Sequence, residues 1–183
     1  MDIVKHITKH TEKLKTELSK ATSEQKKNLK ISALGFYFLF PEFETTIKKY
    51  IEINVEKSQL ISNIINENLK DYQKANEKSN AEVDVYADDY EEPEQIEIFI
   101  LDAFENAISD IKNTESLVGL FIGIIDTLDY YENFSENPKY WNDLLAEEVK
   151  RQNEILKNLN IQSEIDTLIY HEAYSKVEFS ELE

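Results

Sequence analysis

Residues 33–40 read Ala-Leu-Gly-Phe-Tyr-Phe-Leu-Phe, and Pro41 follows them directly. Ser23 is a suitable N-cap upstream of this run, so one helix is predicted from Ser23 to Phe40. A helix that is apolar almost all round is buried on every side in a globular protein. Pro41 ends this helix and suits the first position of the next one. We therefore predict a central helix around which the other helices pack.

Most other segments carry apolar residues at spacings of three and four, which is typical of amphipathic helices. Alternation typical of a strand is confined to residues 83–86, among acidic neighbours. The predicted fold is therefore all-α, a single-domain bundle of seven or eight helices over residues 1–183. The helices are predicted near 2–20 (capped by Asp2), 23–40, 41–51, 58–72, 93–111, 114–128, 138–159 and 163–176 (an extra C-terminal helix capped by Ser163 with Asp166).

The composition excludes several classes of protein. With 183 residues, of which 41% are hydrophobic, the chain can bury one sizeable core. Cysteine is absent from the sequence, which excludes a disulfide-stapled domain, a thiolate metal site and a cysteine nucleophile. No apolar core of a signal peptide is present near Met1, and the apolar run 31–43 is too short to span a bilayer. We expect a cytoplasmic protein that does not enter a membrane.

Charge is distributed unevenly along the chain. The formal net charge is −17, and the segment from Glu82 to Glu97 holds eight acidic residues and no basic one. Such a surface repels phosphate and attracts cationic partners over a long range. Arg151 is the only arginine, whereas recognition of phosphate and guanine relies on arginine. We therefore expect no nucleic-acid partner.

An acidic linker is predicted at 77–92, between two helices. A run of like charges is usually a solvated loop, and that interpretation stays open. Two tyrosines among the acids have no evident place in a helix core, and tyrosine is enriched at interface hot spots. This favours a surface that binds a basic protein. The predicted partner-binding residues are Glu82, Asp84, Tyr86, Asp88, Asp89, Tyr90, Glu91 and Glu92.

No catalytic residue, metal site or cofactor is predicted. The chain has no nucleophile elbow, phosphate-binding glycine loop or dinucleotide fingerprint. The acids at 88–92 lack the spacing and glycine of a calcium loop. His171-Glu172 lacks a second histidine at Ser175, and a lone pair at His6 and His10 is not a closed zinc site, so we interpret these as surface histidines. Asp126, Asp129 and Glu132 share one helix face, which we interpret as solvated.

Gly119 and Gly123 form a small-x-x-x-small pair within an apolar helix. Each glycine costs a helix about 1 kcal/mol relative to alanine. A neighbouring helix that crosses closely at this point would offset that penalty, so we predict such a crossing.

Four segments resemble one bacterial family, the YjaG-like family (domain of unknown function 416). They are Leu101-Asp102-Ala103-Phe104-Glu105-Asn106-Ala107, Thr114 to Leu128, Glu136-Asn137-Pro138 through Trp141, and Ala33 to Phe43. The similarity covers about residues 14–160 and consists of helix order, spacing and a few matched residues. The resemblance implies a compact helical fold and brings no reaction with it. The family tends to place a cysteine and a Glu-Arg pair before the proline, where this chain has Phe36, Tyr37 and Phe38.

These patterns together favour an acidic protein that acts by binding another protein. In its sharpest form, the hypothesis is an immunity or antitoxin-like inhibitor that covers the basic active site of a nuclease toxin. Two alternatives stay open. The first is a helical metal-dependent enzyme that uses carboxylates, and the second is a housekeeping protein of an uncharacterised family whose acidity serves solubility. The oligomeric state is not predicted.

Overall fold

The computed structural model describes residues 3–84, 86–88, 90–161 and 164–179, with side chains from residue 8 onward. Within these ranges the chain forms helices and no strand, so the all-α prediction is confirmed. The described helices number nine, one more than the upper predicted count. They are α1 (Ile3–Ser19), α2 (Ser23–Tyr37), α3 (Phe43–Ile51), α4 (Lys57–Ile65), α5 (Lys70–Glu82), α6 (Gln95–Ile108), α7 (Thr114–Phe134), α8 (Pro138–Leu159) and α9 (Ile169–Tyr174).

Helix α2 lies in the middle of the bundle, as its apolar sequence predicts. Leu34 and Phe36 are fully buried, and the helix contacts α4, α6, α7 and α9. It ends at Tyr37, three residues before the predicted end, and continues as tight turns. The reason is Pro41, which disfavours helical geometry at the preceding residue. The freed carbonyl of Phe38 accepts a hydrogen bond from Lys57 Nζ at 2.8 Å.

The predicted helix 58–72 is two helices, which explains the additional one. The chain turns at Glu67, whose φ of 54° is left-handed. Two hydrogen bonds, Glu67 N to Ile64 O at 3.2 Å and Asn68 N to Asn63 O at 2.8 Å, form a Schellman motif that closes α4. Lys27 pairs with the Glu67 carboxylate at 2.7 Å. Glycine is the usual residue in this conformation, so a glutamate there gives no stop signal.

The bounds of several other helices differ from prediction: α3 begins at Phe43 and not at Pro41, α6 covers Gln95–Ile108 and not 93–111, and α7 extends to Phe134 and not only to 128. Two further differences are accompanied by specific hydrogen bonds. Helix α5 extends to Glu82 because Ser79 Oγ donates to Tyr50 O at 2.6 Å and holds α5 against α3, so the linker predicted from residue 77 begins at 83. The C-terminal helix, predicted at 163–176, covers only Ile169–Tyr174. Asp166 Oδ1 accepts from Leu168 N at 2.9 Å, which forms a turn before the helix. The proposed caps Ser163 and Asp2 lie outside the described residues.

An aromatic cluster joins the C-terminal segment to the bundle. Trp141 stacks on Tyr131 with ring centroids 4.4 Å apart. Phe179 packs against both rings and also against Phe36 and Phe40 of the central region. Residues after α9 therefore complete the core. No described helix is both long and apolar enough to cross a membrane.

The predicted crossing at the two glycines of α7 is confirmed. A Cβ added to Gly123 would lie 2.5 Å from the Tyr37 hydroxyl of α2, and one added to Gly119 would lie 2.7 Å from Asn106 Nδ2 of α6. The Tyr37 hydroxyl donates to Leu120 O at 2.9 Å. Gly123 therefore makes the space in which a buried phenol reaches the backbone of α7.

We predict that Gly123→Ala lowers the melting temperature, although alanine favours helices more than glycine does. The new methyl group would overlap the hydroxyl of Tyr37, which is enclosed, and relieving that overlap costs about 1–3 kcal/mol. Gly119→Ala is the control, because the Asn106 amide can rotate away. Thermal unfolding should also show that Tyr37→Phe partly rescues Gly123→Ala. A melting curve unchanged by Gly123→Ala would disprove the close crossing.

Candidate functional site

The predicted binding residues lie where α5 passes into α6. Glu82 is the last residue of α5, and the others occupy the irregular connection 83–94, here called the acidic segment. Asp89 lies outside the described residues. Every other predicted binding residue has an exposed side chain: Glu82, Asp84, Tyr86, Asp88, Tyr90, Glu91 and Glu92.

Two successive turns shape the acidic segment. Asp84 Oδ1 accepts from Tyr86 N at 3.0 Å, and Asp84 O accepts from Ala87 N at 3.1 Å. Ala87 O then accepts from Tyr90 N at 3.1 Å. These turns leave the Tyr86 side chain 92% exposed and the Tyr90 side chain 36% exposed. Neither ring belongs to the buried core.

The segment is fastened to the bundle at the start of α6. Glu97 Oε2 accepts from Glu94 N at 2.9 Å and from the Tyr50 hydroxyl at 2.7 Å. Burial alone would raise the pKa of Glu97, but these hydrogen bonds and nearby Lys49 outweigh it and lower the pKa. Lys49 lies 3.2 Å from Glu91 and 3.6 Å from Glu97. Hydrogen bonds to Tyr50 and Glu91 raise the pKa of Lys49, so it stays charged.

Most carboxylates of the acidic segment have no cation beside them. Asp84, Asp88 and Glu92 form no ion pair with any described residue. Glu82 lies 3.5 Å from Lys78, but both side chains are 64% exposed, and such a pair contributes little. The carboxylates of the acidic segment therefore face solvent, where a partner can reach them.

A cleft of about 260 Å³ opens beside the beginning of the acidic segment. It lies between the end of α3 and the last turns of α5. Ile51, Ile53 and Ala75 contribute apolar lining, while Glu52 and Glu82 contribute carboxylates. Val83, which also lines the cleft, is 57% exposed. Lys78 also lines the cleft and lies 3.5 Å from Glu82, so Glu52 is the carboxylate there without a described cation partner.

The histidines and the acidic face of α7 do not form a metal site in the part of the chain that is described. No group of three or more His, Cys, Asp or Glu side chains is placed to hold a metal ion there. The interpretation of His10 as a surface residue is wrong, because it is only 8% exposed and its Nε2 lies 2.8 Å from Gln152 Oε1. Glu132 accepts from Asn142 Nδ2 at 2.7 Å. The side chain of His6 lies outside the described residues.

Sequence reasoning missed a buried carboxylate, Glu148, which is 0% exposed. Its Oε1 accepts from the Tyr170 hydroxyl at 2.7 Å and from Gln152 Nε2 at 2.8 Å. Its Oε2 accepts from the Tyr174 hydroxyl and from Arg151 Nη1, both at 2.7 Å. All four partners are donors, as an ionised carboxylate requires. The sequence signal was present, because Glu148 falls on the apolar stripe between Trp141 and Ile155.

The Glu148 cluster docks α9 onto α8. Burial, together with the Glu148 charge, raises the pKa of both Tyr170 and Tyr174, so both hydroxyls stay protonated and donate. Arg151 also lies over the Tyr174 ring, 5.0 Å from its centroid. Every polar atom of the carboxylate is occupied by the protein itself. The cluster therefore acts in folding, and it leaves no group free for chemistry.

Lys30 is a second buried charge, only 1% exposed. Its Nζ donates to Ala107 O at 3.2 Å and to Ser109 O at 2.5 Å, and so caps the C-terminal end of α6. Burial lowers the pKa of Lys30 to about 8, although the charge of Asp110 opposes this effect. A cavity of about 160 Å³ adjoins the amine, but the two carbonyls already account for its position.

Comparison with family models, curated proteins and solved structures found no match for this chain. Among the described residues, the acidic segment with its exposed tyrosines and adjoining cleft combines open charge, aromatic surface and concavity. The buried charges of Glu148 and Lys30, by contrast, are hydrogen-bonded within the chain.

We predict that Glu148→Gln lowers the free energy of unfolding by about 2–4 kcal/mol, because it removes a buried charge from its donors. Glu147→Gln, an exposed neighbour on the same helix, is the control and should change it by less than about 0.5 kcal/mol. Urea denaturation measures both, and amide hydrogen exchange should accelerate in α9. Equal midpoints for the two variants would contradict the docking role.

We predict that Lys30 makes stability rise with pH. Between its folded pKa of about 8 and its unfolded pKa near 10.5, the unfolded chain holds the proton that the folded protein has released. Raising the pH through this window therefore favours folding, by on the order of 2–3 kcal/mol. Urea denaturation at pH 7.5 and pH 9.5 should show wild type gaining stability relative to Lys30→Met. Lys74→Met, at an exposed site, should show no such trend.

Proposed function

We propose that this protein binds a basic partner protein through the acidic segment and acts as an immunity-type inhibitor of a nuclease toxin. The observation that carries the proposal is the 92% exposure of Tyr86 beside Asp84 and Asp88, which have no described cation partner. A large ring held in water among unpaired acids is poorly suited to folding. It is well suited to an interface, where tyrosine supplies rigid contact area.

The overall charge supports rapid association with such a partner. At −17, the chain attracts a cationic surface, and steering of this kind raises association rates to about 10⁸ M⁻¹s⁻¹ or more at low salt. A toxin must be neutralised before it acts, so a fast encounter has a direct benefit. Screening should weaken the effect as the ionic strength rises.

A nuclease active site fits the chemistry of the acidic segment. Such a site attracts phosphate with cationic side chains, so an acidic surface can occupy it in place of nucleic acid. The cleft beside Val83 would take one lysine or arginine side chain, with its stem on the apolar wall and its head near Glu52. Arg151, the only arginine of this chain, faces Glu148, which leaves no arginine for nucleic-acid recognition.

Membership of the YjaG-like family is part of the same proposal. It is supported by the order of the helices, by the buried run that ends before Pro41, and by Asn137 capping α8 at Pro138. The family would contribute the helical scaffold only. The proposed binding function depends on the acidic segment and not on that membership.

The test uses capture from the host, followed by measurement on the purified pair. We predict that wild-type protein captures a basic protein at low salt and inhibits its nuclease activity. The triple variant Asp84→Asn, Asp88→Asn, Glu92→Gln should bind at least about 10-fold more weakly, mainly through slower association. Tyr86→Ala should weaken binding through faster dissociation. Stopped-flow kinetics at several salt concentrations measure both effects.

A matched variant separates local binding from overall charge. Glu12→Gln, Glu147→Gln, Glu154→Gln removes the same three charges from exposed positions on α1 and α8. It should keep the wild-type affinity within about 2-fold, because the short-range contacts are unchanged. Equal losses in both triple variants, or capture of no basic nuclease, would overturn the proposed function.

A further inference from the structure

An unpartnered aromatic face lies along the line where α6 and α7 pack together. The ring centroid of Phe99 lies 5.9 Å from that of Tyr130, whose centroid lies 4.8 Å from that of Phe134. Phe134 is 65% exposed, and the other two rings are half-buried. We call these three residues the aromatic face. No described residue covers Phe134, although its exposure places a large apolar ring in water.

Acidic side chains continue the same line along both helices. Asn106 lies beside Gly119, and Phe99 lies beside Tyr130, so α6 and α7 run antiparallel. Asp102 and Asp126 therefore fall between these two contacts. Asp126 also precedes Tyr130 by four residues, which places both on one side of α7.

The carboxylates on this line repel one another and have no counter-ion. The side chains of Asp102 and Asp126 are both exposed to solvent. The pKa of Asp126 is raised, first by the desolvating effect of neighbouring residues and then by the charges of Asp129 and Asp102. Desolvation and Glu105 raise the pKa of Asp102, and burial and Glu132 raise that of Asp129. Inside the bundle, burial raises the pKa of the Tyr37 phenol on α2, and the charges of Asp126 and Asp102 raise it further. No described lysine, arginine or histidine forms an ion pair with the three aspartates.

We propose that the aromatic face and the adjoining Asp102 and Asp126 form a second contact area, which binds an arginine-bearing surface of the same basic partner. This inference rests on the proposed function and extends its interface beyond the acidic segment. Arginine is the side chain that fits, because its planar guanidinium stacks on aromatic rings and pairs with carboxylates at once. A surface that carries lysine alone would pair with the carboxylates but would leave the aromatic rings without a stacking partner.

The two contact areas adjoin along the chain. The acidic segment leads directly into α6, whose first turn holds Glu97. Glu97 is fixed by Tyr50 and lies near Lys49, which also pairs with Glu91 of the acidic segment. Phe99 follows two residues later and faces α7 instead. A partner that contacts both areas must therefore reach around the start of α6.

The absence of counter-ions predicts a pH dependence of stability that can be measured without the partner. Because the folded pKa of each aspartate is raised, the folded protein binds protons more readily than the unfolded chain, and stability falls as pH rises through this window above 3.8. Asp102→Asn with Asp126→Asn should remove that loss and raise the melting temperature at pH 7 slightly, because both side chains are exposed and solvent screens their repulsion. A partner that supplies arginine would relieve the same repulsion in the complex.

The experiment measures stability and binding on the same variants. We predict that Asp102→Asn, Asp126→Asn is more stable than wild type at pH 7, yet binds the partner about 10-fold more weakly. Phe134→Ser, at an exposed position, should keep the melting temperature and also lose affinity. The matched control is Glu12→Gln, Glu154→Gln, which removes two charges elsewhere and should leave binding within about 2-fold. A labelled nona-arginine peptide serves as a defined second probe, with a nona-lysine peptide beside it.

The outcomes distinguish this inference from the proposed function. If the acidic-segment variant loses partner binding while the Asp102/Asp126 and Phe134 variants keep it, the second contact area is disproved and the proposed function stands. If no basic partner is found, the two peptides still test whether the aromatic face binds arginine. Stronger binding of nona-arginine than nona-lysine, lost in Phe134→Ser, supports the aromatic face. Equal binding of both peptides, or no change in Phe134→Ser, overturns it.

Discussion

The close contact between Tyr37 and Gly123 is the constraint on which the rest of the bundle depends. It brings α2 against α7, with the phenol hydroxyl donating to Leu120 O at 2.9 Å. The other two glycines allow close contacts with further helices, since a Cβ on Gly35 would lie 3.2 Å from the backbone of His171 in α9 and one on Gly119 would lie 2.7 Å from Asn106 Nδ2 in α6. With α2 enclosed by α6, α7 and α9, the remaining helices have one consistent way to cover the core.

Buried charges then determine how the outer helices attach. Glu148 receives hydroxyl groups from α9, and Lys30 donates to the end of α6, so each charge fixes one helix end against another. Neither charge would be tolerated unpaired at this depth. Such contacts add little to stability compared with apolar packing, but only one arrangement of the helices satisfies them. We infer that they help to fix the position of α9, which is short and also packs on α2.

The sequence predicted the helices well where a local signal exists. Pro41, the buried run before it and Asn137 with Pro138 are such signals, and the exposure of Tyr86 followed from its having no core role. The turn at Glu67 was not predicted, because its left-handed backbone carries no glycine that would signal it. That conformation depends on the tertiary ion pair with Lys27. The position of Glu148 on the apolar stripe of α8 indicated its burial, but its hydroxyl partners on α9 and the proximity of Asp102 to Asp126 depend on contacts between different helices. Stripes of spacing three and four show which residues share a helix face, but not which helix lies opposite.

The distribution of charge separates the groups that hold the fold from those that are available to a partner. Inside the bundle, Glu148 accepts four hydrogen bonds and Lys30 donates two, all within the chain. Outside it, the described acids of the segment 83–94 mostly face water, while Asp102 and Asp126 lie close enough to raise each other's energy. Under the proposed function, a cationic surface that binds beside the exposed Phe134 ring would relieve the repulsion between these aspartates. Acids that served solubility alone would do so equally well on any other face of the bundle.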